Sequence, residues 1–480
     1  MSRRLPLYGE RGGDGPRVAS PAAQAHAPEW RVFRSSRGAH LFVVEGSRIF
    51  DIDEDSASAL EGLDAGGRGP EGRPPHEAEL LSALRGAAGR RGRFFIDGRP
   101  AAPPPLRSIS LNVAQACNMS CRYCYADEGK FGGGARMMTA EVARASVDRL
   151  VEESEPGAGL VVGFMGGEPL LNRAVIHDAT RYAERRAREA GKSVRFSLTT
   201  NGTLLRREDV ELFSSHPYTV QLSVDGGKSL NDSLRPTKDG TSSFDKVAEA
   251  VRLFDRFGRP RHLAARVTVT PLSGELLPIL DGLIGAGFDD VGFAPVLVSP
   301  SAEYAFGPDS VPRFLELMVE CGRKCLGEWL AGRAYPFSNL MTAMQELHRG
   351  TSRPYPCGAG AAYLSADTEG ALFACHRLVG DAEFAMGHAR DGTDLEARAR
   401  HLRRSHVDLM EPCRTCWARY LCGGGCYHEV SRRGRVSCDY IRGWLEFCLG
   451  AYAELSSALP GCPVFGAGEG AAGLARPNIL

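Results

Sequence analysis

Apolar positions along this chain fall into two alternating rhythms after an opening stretch that has none. Residues 1–29 are rich in Gly, Pro, Ala and Arg and aperiodic, the composition of a flexible tail. From Trp30, period-two runs at 31–34, 40–44 and 48–53 predict three short strands. Short helices are expected at 56–63 and 77–84, either side of a Gly/Pro-rich loop at 64–75, which makes 30–100 a small β/α unit. A proline linker at 103–106 follows. Then strands predicted at 108–113, 160–164, 194–199, 219–224, 263–270 and 291–294 alternate with helices at 140–151, 173–189, 206–213, 244–257 and 277–286. Six β/α units over 107–300 imply an α/β fold: a parallel sheet curved into a partial (β/α)6 barrel, with ligands at the carboxyl ends of its strands. Helical patterns at 312–330 and 340–347 make 301–356 a helical connection. From Cys357 the rhythm breaks into short Gly- and Cys-rich pieces. The unit at 357–450 is therefore expected to fold around metal rather than around an apolar core. A helix at 441–459 and a loose end complete 451–480.

Composition narrows the function classes. Lys+Arg and Asp+Glu are both 58, so net charge is zero, which argues against a nucleic-acid binder working by bulk electrostatics. No apolar run of about 18 residues is present, so no membrane span is expected. Arg3 and Arg4 are not followed by an apolar stretch and read as solvated tail, and a cytoplasmic location is expected. Fourteen cysteines are many for a chain in a reducing compartment, where disulfides are disfavoured. Most fall into two tight groups, the habit of metal ligands rather than of buried singletons.

The first group is Cys117, Cys121 and Cys124, spaced C-x3-C-x2-C just after the first barrel strand. Three thiolates on one short loop cover three corners of a four-iron cube and leave the fourth iron open. This loop resembles the cluster loop of the radical S-adenosylmethionine (radical SAM) superfamily, where the open iron chelates the amino and carboxylate groups of SAM. Further segments resemble that family in order. Tyr123 is the aromatic residue that packs on adenine in the family. Gly166-Gly167-Glu168-Pro169, at the second strand end, is similar to the GGEP motif, whose polar groups and Glu bind the SAM ammonium. Asn201, in Thr200-Asn201-Gly202, corresponds to the segment beside the SAM ribose. Ser223 and Arg235 correspond to residues that hold the SAM carboxylate. For Asn201 and Asp225, each before a glycine, turn chemistry is an equal alternative.

The second group is Cys357, Cys375, Cys413, Cys416, Cys422, Cys426 and Cys438. Its core is C-x2-C-x5-C-x3-C. A zinc site is the plain alternative. The order and spacing resemble the seven-cysteine SPASM domain of peptide-modifying radical SAM enzymes. That resemblance implies two auxiliary iron–sulfur clusters besides the SAM-binding [4Fe-4S] cluster. Cys357, Cys375 and Cys426 would ligate the first, Cys413, Cys416, Cys422 and Cys438 the second. A three-cysteine cluster leaves an iron for another protein ligand or a substrate thiolate. Cys321, Cys325, Cys448 and Cys462 remain, with packing as their expected role.

The stretches 374–377 and 416–429 look closest to the thioether-forming maturases of quinohemoprotein amine dehydrogenase. His376, directly after Cys375, departs from the sulfatase maturases, which carry an aspartate there as base. The resemblance implies a radical SAM enzyme that joins cysteine sulfur to a methylene carbon of Asp or Glu in a peptide or small protein. Its alternatives are another radical peptide modification (carbon–carbon crosslinking, decarboxylation, formylglycine formation) or a non-catalytic iron–sulfur or peptide-binding protein. Flavodoxin or ferredoxin is the implied electron donor. Asp225 and His376 are candidate bases, and 30–100 is reminiscent of domains that bind a leader peptide by adding a strand to a sheet edge.

Overall fold

Strands β1 (Trp30–Ser35), β2 (Gly38–Val43) and β3 (Arg48–Ile52) form an antiparallel sheet in that order, at the three places the period-two runs predict. The computed structural model describes residues 30–44, 46–62, 95–96, 99–100 and 102–466. The expected tail at 1–29, the loop at 64–75, the helix at 77–84 and residues 467–480 lie outside the described residues. Helix α1 (Glu54–Glu61) starts where the Asp53 side chain accepts from the Ser56 N–H. Its Leu60 packs with Trp30, Leu41 and Val43 in a small separate core. A two-residue pair, β4 (Phe95–Ile96) and β5 (Arg99–Pro100), precedes the linker.

The barrel elements follow in chain order. They are β6 (Ser108–Gln115), β7 (Arg136–Met137), α2 (Ala140–Glu152), β8 (Gly159–Gly166), α3 (Arg173–Glu189), β9 (Ser193–Thr200), α4 (Arg207–Ser215), β10 (Tyr218–Ser223), α5 (Lys228–Leu234), α6 (Ser243–Phe257), β11 (His262–Val269), α7 (Leu276–Gly285) and β12 (Asp290–Pro295). Six strands run parallel in the order β6-β8-β9-β10-β11-β12, as expected. Fully buried Phe164, Phe196 and Tyr218, one from each of three consecutive strands, stack ring on ring beneath the helices. Helix α5 was not foreseen. Its seven residues are too few to display a helical period.

The C-terminal part comprises α8 (Val311–Leu330), α9 (Ser338–His348), β13 (Tyr363–Ala366), β14 (Ala371–Phe373), β15 (Ala385–His388), β16 (Gly392–Thr393), α10 (Leu395–Ser405), α11 (Arg419–Cys422), α12 (Tyr427–Arg433) and α13 (Cys438–Ala458). It corrects two expectations. First, this part has apolar support: β13 pairs in parallel with β6, from Tyr363 opposite Ser108 to Ala366 opposite Leu111, and β14–β16 continue the sheet antiparallel. Leu364, Ala366 and Leu372 are fully buried and join the barrel core. Strands of two to four residues carry too little alternation to be read from sequence. Second, α13 runs unbroken from Cys438, so a boundary at 450 falls inside a helix.

Helix α13 also ties the ends of the chain together. It crosses α8 closely: a Cβ on Gly322 would lie 2.4 Å from the Phe447 ring. Glu446 receives two hydrogen bonds of 2.9 Å from the Arg31 guanidinium of β1. The edge of Phe42 on β2 meets Trp417, with ring centres 6.1 Å apart. The N-terminal sheet thus rests on the cysteine-rich part as well as on the barrel. Among the described residues, no helix is long and apolar enough to cross a membrane.

Candidate functional site

Cys117, Cys121 and Cys124 sit on the loop leaving the carboxyl end of β6, the position a curved parallel sheet reserves for ligands. The segment after α5 holds this loop. Ser120 N–H donates to Pro236 O, Arg122 N–H to Leu234 O and Lys238 N–H to Asn118 O, at 2.9, 2.9 and 3.2 Å. Burial pushes the Cys117 thiol up to about 12 and the Cys121 thiol up to about 11; Glu168 and neighbouring cysteines also raise Cys117. A thiolate in this pocket therefore needs a bound cation, as iron supplies. Among the described residues, no group of three His, Cys, Asp or Glu is placed to hold a single metal ion. A four-iron cube takes its thiolates at separate corners.

The GGEP-like turn is built against this loop. Gly167 N–H donates to Ala114 O and Glu168 N–H to Ala116 O, both at 2.9 Å. A Cβ on Gly166 would sit 2.3 Å from Ala114 O, and one on Gly167 would sit 2.3 Å from Ala116 O. The glycines thus serve a close backbone approach to the cluster loop. Fully buried Glu168 accepts from Thr200 Oγ1 at 2.6 Å, Leu170 N–H at 3.0 Å and Asn201 N–H at 2.8 Å. Burial raises its pKa against those donors. A carboxylate offers about four acceptor sites, so one is left for an ammonium. Asn201 Nδ2 donates to Asn118 Oδ1 at 3.0 Å and points at Cys117 Sγ, 3.9 Å away. Asn118 in turn donates to Thr203 Oγ1 at 2.8 Å.

Tyr123, Asp225 and Arg235 form one buried group. Tyr123 donates to Asp225 Oδ2 and accepts from Arg235 Nη1, both at 2.5 Å, and Arg235 lies 3.8 Å from Asp225. The second oxygen of Asp225 accepts from Thr268 N–H at 3.0 Å, and its own N–H donates to Asn231 Oδ1 at 2.9 Å. Burial raises the Asp225 pKa against the pull of Arg235. Ser223, at the end of β10, stands in register with Arg266 of β11.

The seven later cysteines separate in space into three and four. Burial pushes Cys375 up to about 12, and Cys357 and Cys426 are the charges that next raise it. Burial pushes Cys422 up to about 11, with Cys413, Cys438 and Cys416 beside it. Those four thiols line one cavity with Gly424, Gly425 and Arg435. Each set is a soft donor group in a pocket that disfavours bare thiolates, so the residues fit iron–sulfur clusters. Of the other cysteines, Cys321 and Cys325 are buried in α8, where Cys325 donates to Tyr335 O, and Cys448 is buried in α13. That is packing, as expected.

The two halves meet at Tyr125, next to Cys124. Arg377 lies over its ring at 5.2 Å, and the His428 ring centre is 5.4 Å away. Arg377 pairs with Glu429 at 2.9 Å. His376 Nδ1 is 3.1 Å from Tyr363 Oη, itself 2.7 Å from Ser110 of β6. Burial, then Arg377, holds the His376 imidazole down to about 3, so it is neutral. Sequence reasoning missed Asn118, Tyr125, Asn231, Arg266, Tyr363, Arg377 and Glu429. Arg266 alone left a signal, a charge inside the apolar run 263–267.

This arrangement is the radical SAM fold with a cysteine-rich C-terminal region, and residues 111–275 match the radical SAM superfamily. The serine-type anaerobic sulfatase-maturating enzyme of Klebsiella aerogenes is 25% identical over 74% of this chain and 88% of its own. The cysteine-type enzyme of Clostridium perfringens is 23% identical over 67% of this chain and 89% of its own. Among solved structures, native anSMEcpe with bound AdoMet superposes with a TM-score of 0.62 at 20% identity, over 74% of this chain and all of that one. Streptococcus suis SuiB bound to S-adenosylmethionine gives 0.50 at 14% identity, over 85% and 96%.

Proposed function

We propose that this protein is a radical SAM enzyme that crosslinks a cysteine sulfur to a methylene carbon of Asp or Glu within a peptide or small protein. One observation carries the reading. The later cysteines divide into three and four, and the set of three lies across Tyr125 from the SAM-loop cysteines. A three-thiolate cluster leaves an iron for the substrate's own cysteine.

Cys117, Cys121 and Cys124 would hold a cluster that, with SAM bound, would supply one-electron reductive cleavage of SAM and so hydrogen-atom abstraction from substrate. The protein's residues orient and enclose that chemistry. Glu168 and the carbonyls of the glycine turn would hold the SAM ammonium. Asn201 would lie beside the ribose. Ser223 and the remaining Arg235 N–H groups would hold the SAM carboxylate. Asp225 braces Tyr123 and Arg235, and both its oxygens are engaged there. His376, held neutral beside Cys375, orients Tyr363 and keeps extra positive charge off the substrate thiolate. Joining a substrate thiol to a carbon radical would release one proton and one electron. The two later cysteine sets would hold auxiliary clusters able to accept that electron, and a flavodoxin- or ferredoxin-like partner would be the electron donor for SAM cleavage. The net change in substrate is two hydrogens lost per bridge. Among the described residues β3 is an edge strand, and its outer edge would receive the peptide by strand addition.

The sulfatase-maturating relatives favour a second reading, formylglycine formation. His376 in place of the aspartate seen in that family speaks against it. Anaerobic co-expression with small cysteine-containing proteins encoded nearby, followed by intact mass and thiol counting, separates the two. Two hydrogens and one alkylatable thiol lost per bridge support the thioether. Conversion of a single Cys or Ser to an aldehyde supports the alternative. Replacing Cys117, Cys121 and Cys124 with Ala should abolish deoxyadenosine formation in either case while auxiliary iron stays; undiminished deoxyadenosine overturns both.

A further inference from the structure

Arg266 is a charged side chain in an otherwise apolar run of β11, Leu263-Ala264-Ala265-Arg266-Val267. Residues in register on neighbouring parallel strands share a face, and its register partners are Ser223 of β10 and Gly292 of β12. Ala265 and Val267 are buried toward the helices, so Arg266 shares the barrel's inner face with Ser223. Its neighbours in register are thus a small residue and a glycine.

Arg266 Nη1 is buried and has no hydrogen-bond partner. The carboxylates around it are committed elsewhere: Asp290 is 2.5 Å from His262 Nε2, and Glu429 is paired with Arg377 at 2.9 Å. Burial, then the Arg377 cation, presses its pKa down to about 10 against the pull of Asp290 and Glu429. An uncompensated guanidinium in a desolvated site is costly unless an anion arrives there. Arg377 borders the Cys375 set and Ser223 borders the SAM site, so the vacant donor faces the space between the two.

We propose that Arg266 is a specificity-determining residue that receives the carboxylate of the substrate residue to be modified, and so fixes its methylene between SAM and the Cys357–Cys375–Cys426 set. This rests on the thioether reading, whose acceptor is Asp or Glu. A guanidinium forks onto a carboxylate with two parallel hydrogen bonds and cannot do so onto a carboxamide.

The test uses the reconstituted holoenzyme with SAM present and two probes, N-acetylglutamate amide and N-acetylglutamine amide, followed by saturation-transfer NMR. The expected result is a preference of roughly tenfold or more for the carboxylate probe, lost in Arg266→Gln and retained in Arg266→Lys. Equal binding of both probes, binding of neither, or an undiminished preference in Arg266→Gln overturns the proposal. The KM for SAM in deoxyadenosine formation separates the two sources of a carboxylate: a tenfold rise in Arg266→Gln with probe preference intact assigns Arg266 to SAM itself and also overturns it. Should Arg266→Gln lose iron, Arg266→Ser with iron content matched to wild type is read in its place. The probes carry no cysteine, so this outcome is independent of whether a thioether forms.

Discussion

Gly167→Ala puts a methyl group in place of a hydrogen at the point where two backbones meet. The new Cβ would lie 2.3 Å from Ala116 O, 2.6 Å from Ala116 C and 2.9 Å from Gly129 Cα. All three are main-chain atoms, so no side chain can rotate away. Ordinary contact begins near 3.4 Å, and the loop entering Cys117 must retreat by about 1 Å. Overpacking of this kind costs about 1–3 kcal/mol in stability. On the proposed function a cluster on this loop and the GGEP-like turn would hold one SAM molecule together, and a misplacement of about 1 Å can then cost on the order of 100-fold in rate. The assay is reductive SAM cleavage without substrate, with deoxyadenosine quantified against iron content. Gly134→Ala, where an added Cβ meets nothing within 4 Å, is the control. Deoxyadenosine formation should fall about 100-fold in Gly167→Ala and stay near wild type in Gly134→Ala. A rate within twofold of wild type in Gly167→Ala would refute the claim that this turn sets the position of the cluster loop.

Arg235→Met strips the cation from the buried Asp225–Tyr123 group and should cost about 3–5 kcal/mol in urea unfolding. Tyr123→Phe should cost less, about 1–3 kcal/mol, since Arg235 still faces Asp225. Burial holds His401 down to about 4 against its usual 6.5, so the fold keeps it neutral while the unfolded chain takes up a proton sooner. Its contribution is complete above pH 6.5 and is lost as pH falls toward 4, up to roughly 3 kcal/mol. His401→Phe should flatten that part of a melting-temperature profile; a parallel profile would disprove the assignment. Iron per chain should fall by one cluster in Cys422→Ala and by a different one in Cys375→Ala. Cys448→Ala should leave it unchanged, and a loss of iron there would make Cys448 a ligand.

The barrel was legible because its strands and helices are long enough to show their periods. The strand at 160–164 and the helix at 173–189 needed only an apolar run and a 3.6-residue rhythm. The cysteine loops were legible because ligand spacing is local. What escaped was non-local. Nothing near Tyr363 in sequence says that its strand pairs with β6, and nothing near Asp225 says that Tyr123 will donate to it. The glycine turn was read as a SAM contact, yet its N–H groups are spent on Ala114 and Ala116. Both uses demand the same bare backbone, so composition alone cannot separate them.

The pairing of β13 with β6 has a consequence for biosynthesis. Ser110 and Ser365, hydrogen-bonded at 2.9 Å across the two strands, are 255 residues apart in the chain. At 5–20 residues per second, the ribosome needs roughly 10–50 s to supply the second after the first. Throughout that interval the Ser108–Leu111 edge of the strand leading to Cys117, Cys121 and Cys124 lacks its β13 partner, the kind of surface on which nascent chains aggregate. A barrel cut free at residue 300 inherits that open edge permanently. Productive expression of this protein thus depends on the pace of translation and on chaperone cover, and slowing synthesis anywhere between residues 110 and 365 should waste more chains than slowing it after the second strand has emerged.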